Sequence, residues 1–282
     1  VKFAISLGIM SPKAWVDVTQ AADELGYESV WIPEHLVLPV DMSGSPYAAD
    51  EHPPIPPNIP VFDALGYLSF LAARTEQIRF GTQVYNIGLR HPFVTARAVA
   101  TLDVVSGGRV EFGIGASWMK AEWDAVGLDF ATRGGRVNEC IDICRRLWSE
   151  SVVEHHGTHF DFAPVMFEPK PVQQPGPPIH VGGDSPAALR RVAARGDGWI
   201  PMNHTVDQIP ASVARIRELQ DEMGRSVPIE VTMGSDVATT DDVEVYAAAG
   251  VHRIFVRPWA STSGAIAGLE RFRTEVMDAY TD

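Results

Sequence analysis

The feature that most constrains this chain is a rhythm. Extended apolar stretches alternate with helical ones from one end to the other. The extended ones are KFAISLGI, YESVWI, QIRFGTQVYNI, RVEFGIG, PIHVGG, GWIPM, PIEVTMGS and HRIFVR. Between them lie SPKAWVDVTQAADELG, VFDALGYLSFLAART, HPFVTARAVATLDVVSGG, a long region with GGRVNECIDICRRLWSE at its clearest, SPAALRRVAARG, TVDQIPASVARIRELQDEMG, DDVEVYAAAG and a tail helix. Strands that alternate with helices imply a parallel sheet covered by its crossovers. Eight such units in 282 residues fit a closed barrel better than an open doubly wound sheet. The expected fold is therefore α/β: a single (β/α)8 TIM barrel domain over residues 1–282. It carries two insertions. One is a Pro-rich stretch at 36–60, after strand two, too broken for a helix or a central strand. The other is a hairpin at 151–163, turning at Gly157, before strand five.

Local signals set the helix ends. Ser11 reads as an N-cap, Pro12 as the first helical position and Gly26 as the stop. Pro92 starts the third helix and Gly107 ends it. In that helix Val94, Ala98, Thr101, Leu102 and Val105 keep the spacing of a buried face. Asp103 interrupts it, and Arg109 is the expected partner in an ion pair or cap.

Charge and cysteine content narrow the function. The formal net charge of −13 disfavours a nucleic-acid partner, because phosphates are repelled, and favours a small-molecule ligand. No apolar run reaches the length of a membrane span, and the opening VKFAISLGIM reads as a strand rather than a signal peptide. Cys140 and Cys144, one helical turn apart, read as small apolar residues in a reducing cytoplasm.

Barrels of this kind carry their chemistry on the loops after the strands. Two of those loops are nearly bare. After strand four comes GIGASW, and after strand five VGGDSP. Gly115 there, and Gly182 and Gly183, either let a ligand approach the backbone or simply turn the chain. Ser117 is placed to cap the next helix, as are Asp184 or Ser185 with Pro186 behind them. Helix starts attract anions, so two on adjacent strands suggest one phosphate-bearing ligand. Trp118 stands where a dinucleotide fingerprint needs its third glycine, so a Rossmann reading fails. His155, His156 and His159 lack a carboxylate or cysteine at a metal-site spacing, and no metal is expected.

The stretches ELGYESVWIPEHLVLP, IRFGTQVYNIGLRHPFVTARAVATLDVVSGGRVEFGIGASW and EPKPVQQPGPPIHVGGDSPAALRRVAARGDGWIP carry a resemblance. They resemble the luciferase-like flavin and deazaflavin monooxygenase superfamily, and within it a short branch of coenzyme F420-dependent oxidoreductases. The resemblance implies a barrel that binds an isoalloxazine or deazaflavin ring at its mouth. It implies a non-prolyl cis peptide at Gln83–Val84, bulging against the ring. It places phosphate contacts at Gly115, Ala116 and Ser117 and at Gly182 and Gly183, with Trp118 as an apolar wall where sugar-phosphate-oxidising relatives carry an acid. It assigns Glu34 a contact with the ring system, and His35 a place near the reacting carbon as proton donor or acceptor, or as the group that polarises the substrate. The structural alternatives are a rim salt bridge for Glu34 and a loop hydrogen bond for His35. Family members are often homodimers.

The implied reaction is hydride transfer between F420 and a small organic substrate. The rivals are an FMN-dependent monooxygenase, a non-catalytic flavin- or deazaflavin-binding protein, and an unrelated barrel enzyme acting on a sugar phosphate. Further candidates are Arg257, as a grip on an anionic substrate or a plain surface charge, and Trp31, Trp199 and Trp259, which either line the pocket or fill the barrel's top layer. Tyr47, His52 and Ile55 are possible substrate contacts if the Pro-rich stretch is a lid, and rigid surface or dimer contacts otherwise.

Overall fold

Short, mostly buried strands close on themselves, and helices wrap the outside. The computed structural model describes residues 1–40, 58–234 and 237–280. β1 (Lys2–Ser6), β2 (Ser29–Ile32), β3 (Arg79–Thr82) and β4 (Val110–Ile114) open the barrel. β5 (Val153–His156) and β6 (Asp161–Val165) form an antiparallel hairpin outside it, where the 151–163 insertion is expected. β7 (Ile179–Gly182), β8 (Gly198–Ile200), β9 (Glu230–Gly234) and β10 (Arg253–Phe255) complete a closed parallel barrel in the order β1-β10-β9-β8-β7-β4-β3-β2. β4 pairs with β7, Phe112 opposite Ile179, so the two glycine-bearing loops leave adjacent strands.

The crossovers are α1 (Trp15–Glu24), α2 (Ala64–Ala72), α3 (Pro92–Ser106), α4 (Lys120–Ala125), α5 (Arg133–Ser149), α6 (Pro186–Arg195), α7 (Ile209–Glu222) and α8 (Thr240–Ala248), and α9 (Ala265–Phe272) follows the last strand. The main core lies between these helices and the sheet, around residues such as Phe80, Phe112, Leu147 and Trp148. Cys140 and Cys144 are buried in it, and burial pushes the Cys140 thiol up to about 12.

Three local expectations are corrected. Ser11 precedes a 3-10 turn at Pro12–Ala14 and its side chain makes no cap bond; α1 proper starts at Trp15. In α3 the inward face is Thr95, Ala96, Val99, Ala100, Leu102, Asp103 and Ser106, while Val94 and Val105 are each 58% exposed. α3 is squeezed between the sheet, α2 and α5. Close approach selects small side chains there, which a hydropathy pattern ranks below valine. Asp103 does not pair with Arg109. Its carboxylate accepts from the Gln173 N–H at 2.9 Å and from Gln173 Nε2 at 2.7 Å, and Arg109 instead donates to the carbonyls of Ala72, Thr75, Ile78 and Ser106.

The barrel's floor is ionic. Arg253, wholly buried, donates from Nε and Nη2 to Glu28 at 2.8 Å each and from Nη1 to Thr232 Oγ1 at 3.0 Å. Glu111 accepts from Arg79 Nε at 2.5 Å and pairs with His180 Nε2 at 2.6 Å; Lys2 binds Glu230. Burial alone would raise the Glu111 carboxyl, but the His180 hydrogen bond and the charges of His180, Arg253 and Arg79 win and hold it well below its ordinary range. Glu111, His180 and Glu230 come close enough to share an ion, but the same groups already face Arg253 and one another. Trp31 packs above the guanidinium, edge-on to His180 and Phe255, and separates this floor from the mouth.

Candidate active site

The mouth is organised around one bulge. After β3 the Gln83–Val84 peptide bond is cis. Val84 projects between the ends of β4 and β7. A Cβ on Gly115 would sit 2.5 Å from Val84 Cγ2, and one on Gly182 would sit 2.8 Å from Val84 Cγ1. No methyl group fits at those distances, so these two glycines seat the bulge. That refines the sequence reading, in which they open the backbone to a ligand directly. Gly183 is different: its φ of +112° excludes ordinary side chains, and its backbone lines the cleft.

Val84 divides two cavities. On one side is a cleft of about 710 Å³ walled by Gly115, Ala116, Ser117, Trp118, Gly182 and Gly183, and continuing past Ser185 to Arg133 and Arg191. On the other is a cavity of about 500 Å³ over the barrel axis, lined by Ser6, Gln83, Ile200, Phe255 and Arg257. The larger one lies within the usual range for a bound cofactor. Gln83 Nε2 donates to Ser6 Oγ at 2.8 Å, while Gln83 Oε1 is buried without a partner among the described residues. Arg257 is exposed and has no carboxylate partner among the described residues.

The two glycine loops meet different fates. Ser185 does cap α6, its Oγ accepting from the Ala188 N–H at 3.2 Å. Asp184 instead accepts from the N–H groups of Met202 and Asn203, with His204 3.1 Å away. Ser117 does not cap α4. It takes a left-handed conformation, φ +62°, and its hydroxyl accepts from the Met119 N–H at 3.2 Å, ahead of a helix that starts only at Lys120. One helix start therefore faces the cleft where the sequence suggests two.

Glu34 and His35 leave β2 side by side but face different partners. Glu34 is 2% exposed. Its Oε2 accepts from the Asn86 N–H at 2.8 Å and its Oε1 from Arg90 Nη2 at 2.5 Å, tying the loop after β2 to the loop after β3. The cation is in turn stacked over Tyr85, 4.5 Å from the ring centre. His35 Nδ1 lies 3.1 Å from Glu122 Oε2, and Glu122 Oε1 accepts from the Leu36 N–H at 2.6 Å. Glu122 is itself fully buried. A carboxylate accepts, so Nδ1 carries the proton and Nε2 is the nitrogen without a protein partner among the described residues. The ring touches Trp118 edge-on at 6.1 Å and lines a small apolar pocket of about 140 Å³ with Met10, Trp15, Ile59 and Phe62.

Sequence reasoning missed Glu122, Arg90 and Asn86. Nothing in KAEWDA marks one acid of a short helix as buried, and Glu34 and Arg90 are 56 positions apart. Among the tryptophans, Trp31 and Trp199 are wholly buried and Trp259 is 7% exposed, so they fill the interior. The hairpin histidines do not converge. His155 faces Glu139, His156 pairs with Asp161, and His159 lies against Gly135. Glu139 clamps the hairpin to α5 by accepting from the N–H groups of Thr158, His159 and Phe160. Tyr47, His52 and Ile55 lie outside the described residues. No helix among the described residues is long and apolar enough to cross a membrane.

Known proteins share this architecture. A monooxygenase, RslO1 from Streptomyces bottropensis, superposes with a TM-score of 0.79 over 100% of both chains at 21% identity. A coenzyme F420 dependent tetrahydromethanopterin reductase from Methanopyrus kandleri does so with 0.79, over 100% of this chain and 99% of its own, at 18% identity. At those identities the likeness is one of fold. In sequence, an uncharacterized protein of Mycobacterium tuberculosis is 32% identical over 244 residues, 86% of this chain and 84% of that one. The profile of the luciferase-like monooxygenases matches residues 4–275. With the closed barrel and this match over nearly its whole length, the chain belongs to the luciferase-like monooxygenase family.

Proposed function

We propose that the protein is an oxidoreductase that moves hydride between the deazaflavin coenzyme F420 and a small organic substrate. The observation that carries this reading is the Val84 bulge, seated by Gly115 and Gly182 between two cavities at the barrel mouth. A flat ring system would rest against Val84. The larger cleft offers the length for its phosphorylated side chain along Gly115, Ala116, Ser117, Gly182 and Gly183, toward the N-terminus of α6. Gln83 Oε1, buried and unpaired, is an acceptor waiting for a ring N–H. Trp118 closes the side as an apolar wall.

When bound, the deazaflavin supplies a two-electron hydride carrier; the polypeptide supplies position, dryness and a proton. His35 is the proton-handling residue. Glu122 is a positioning residue: it fixes the imidazole with Nδ1–H toward itself and leaves Nε2 for the substrate. Glu34 positions as well, since both its oxygens are engaged in joining two mouth loops. The substrate occupies the space between the axial cavity and the apolar pocket beside His35. The chemistry this suits is reduction of an activated C=C, C=O or C=N bond, or oxidation of an alcohol. Ile59 and Pro60, at the described end of the Pro-rich stretch, line the His35 pocket; residues 41–57 lie outside the described residues. The whole chain works as one cytoplasmic domain. A second copy covers the outer face of α3, where Val94, Ala98 and Met166 line an open apolar groove.

Titration of the purified protein with F420 and with FMN, followed by fluorescence, tests the reading. Saturable binding of F420 in preference to FMN is expected. Preference for FMN, with oxygen consumed when the flavin is reduced, would replace it by the monooxygenase reading. Turnover of F420 unchanged in His35→Ala would remove the proton role.

A further inference from the structure

The far end of the cleft holds more positive charge than a single phosphate uses. Arg191 of α6 is 6% exposed. Its Nε donates to Asn138 Oδ1 at 2.7 Å and its Nη2 to the Gly134 carbonyl at 3.2 Å, both neutral acceptors. Among the described residues no carboxylate pairs with it. Its charged neighbours are Arg195 and Arg133, and burial followed by their repulsion lowers its pKa to about 10. Arg195 is matched by Asp142, which takes its Nε and Nη2. Arg133 and the exposed Arg190 have no carboxylate partner among the described residues, and the cleft's one nearby acid, Asp184, is occupied by two backbone N–H groups and His204. A guanidinium taken out of water without a counter-charge is costly, and in a chain of net charge −13 acids are not scarce. Arg109 too has only neutral acceptors, but it lines neither of these spaces, whereas Arg191 opens onto the cleft.

Arg191 is also a wall shared by two spaces. It lines the 710 Å³ cleft together with Arg133, and it lines a second groove of about 400 Å³ with Asn138, Arg190 and Arg195. The two spaces have Gly134, Ala187 and Arg191 in common. We infer that this groove receives a second anionic segment of the ligand, a string of carboxylates carried beyond the phosphate. Arg191 stands at the joint, Arg133 on the cleft side and Arg190 on the outer side. A ligand that ends in a phosphate monoester, as FMN does, fills the cleft and leaves Arg190 unused. This inference rests on the cofactor reading above and adds what lies past the phosphate.

The experiment compares three ligands by fluorescence titration of the full chain: F420 carrying several tail glutamates, the same deazaflavin ending at its 5′-phosphate, and FMN. The tailed form should bind about tenfold more tightly than the phosphate-ended one, with the gap narrowing at high salt. Arg190→Glu, an exposed change that leaves packing alone, should erase the gap while shifting the phosphate-ended affinity by no more than about twofold. Arg191→Met should weaken both forms. Equal affinity of the two deazaflavins for the unaltered protein, or a gap that survives Arg190→Glu, overturns the inference and leaves the cofactor reading standing. Binding of neither deazaflavin overturns both.

Discussion

The floor and the mouth of this barrel are built from the same strands and treat charge in opposite ways. On the floor, Arg253, Arg79 and Lys2 meet Glu28, Glu111 and Glu230 within the protein, joined by Thr232 and by His180 Nε2, although His180 Nδ1 is buried there without a partner among the described residues. At the mouth, among the described residues, Gln83 Oε1 has no partner and Arg191 only neutral ones, and bare backbone at Gly183 faces an open cleft. Charges matched within the protein need no counter-charge from outside. An unmatched charge that lines an open cleft is where the proposed ligand would supply the missing counter-charge. On the proposed function, the floor is expected to govern stability and the mouth binding.

That division can be broken in three ways. The largest effect is expected from Arg253→Met. It leaves Glu28, Glu111 and Glu230 facing one another without their shared cation, and removing one partner of a buried pair costs about 3–5 kcal/mol. Urea denaturation should show that loss, while cofactor affinity per folded molecule stays unchanged; an equal loss of affinity would merge floor and mouth into one unit. Gly115→Ala comes next. Its new methyl meets Val84 Cγ2, and relief by moving the bulge costs about 1–3 kcal/mol, felt mainly as weakened ring binding. If affinity is untouched while the melting temperature falls, Val84 is packing and not a cradle.

The gentlest perturbation is acid. Glu111 is held below its ordinary pKa in the folded state, so its contribution is whole above the unfolded value and disappears as pH falls toward the folded one. Stability from this source should be flat between pH 7 and about 5 and decline below roughly 4.5. The decline should shrink in Glu111→Gln, measured against its own neutral-pH stability. A decline of the same size in that variant would assign the acid sensitivity elsewhere.

Legibility from sequence followed the range of the interactions involved. The strand and helix order, the hairpin at Gly157, the stop at Gly107 and the cap at Ser185 depend on residues a few positions apart, and each stands where the local pattern puts it. The cis peptide at Gln83–Val84 was readable by resemblance alone. The inward face of α3 was misread because tight helix packing prefers Ala96 and Ala100 to the valines beside them. The Asp103–Arg109 pair was misread because each found a better partner elsewhere, Gln173 for one and a set of carbonyls for the other.

By itself, the sequence determined that this chain alternates into eight parallel strands and leaves two neighbouring strand ends nearly bare, since periodicity and glycine act locally. Only the tertiary structure decided what those glycines face, which acid holds His35, and where an arginine is left without a counter-charge. Those are contacts between residues as far apart as Val84 and Gly182, or His35 and Glu122, which barrel closure alone brings together.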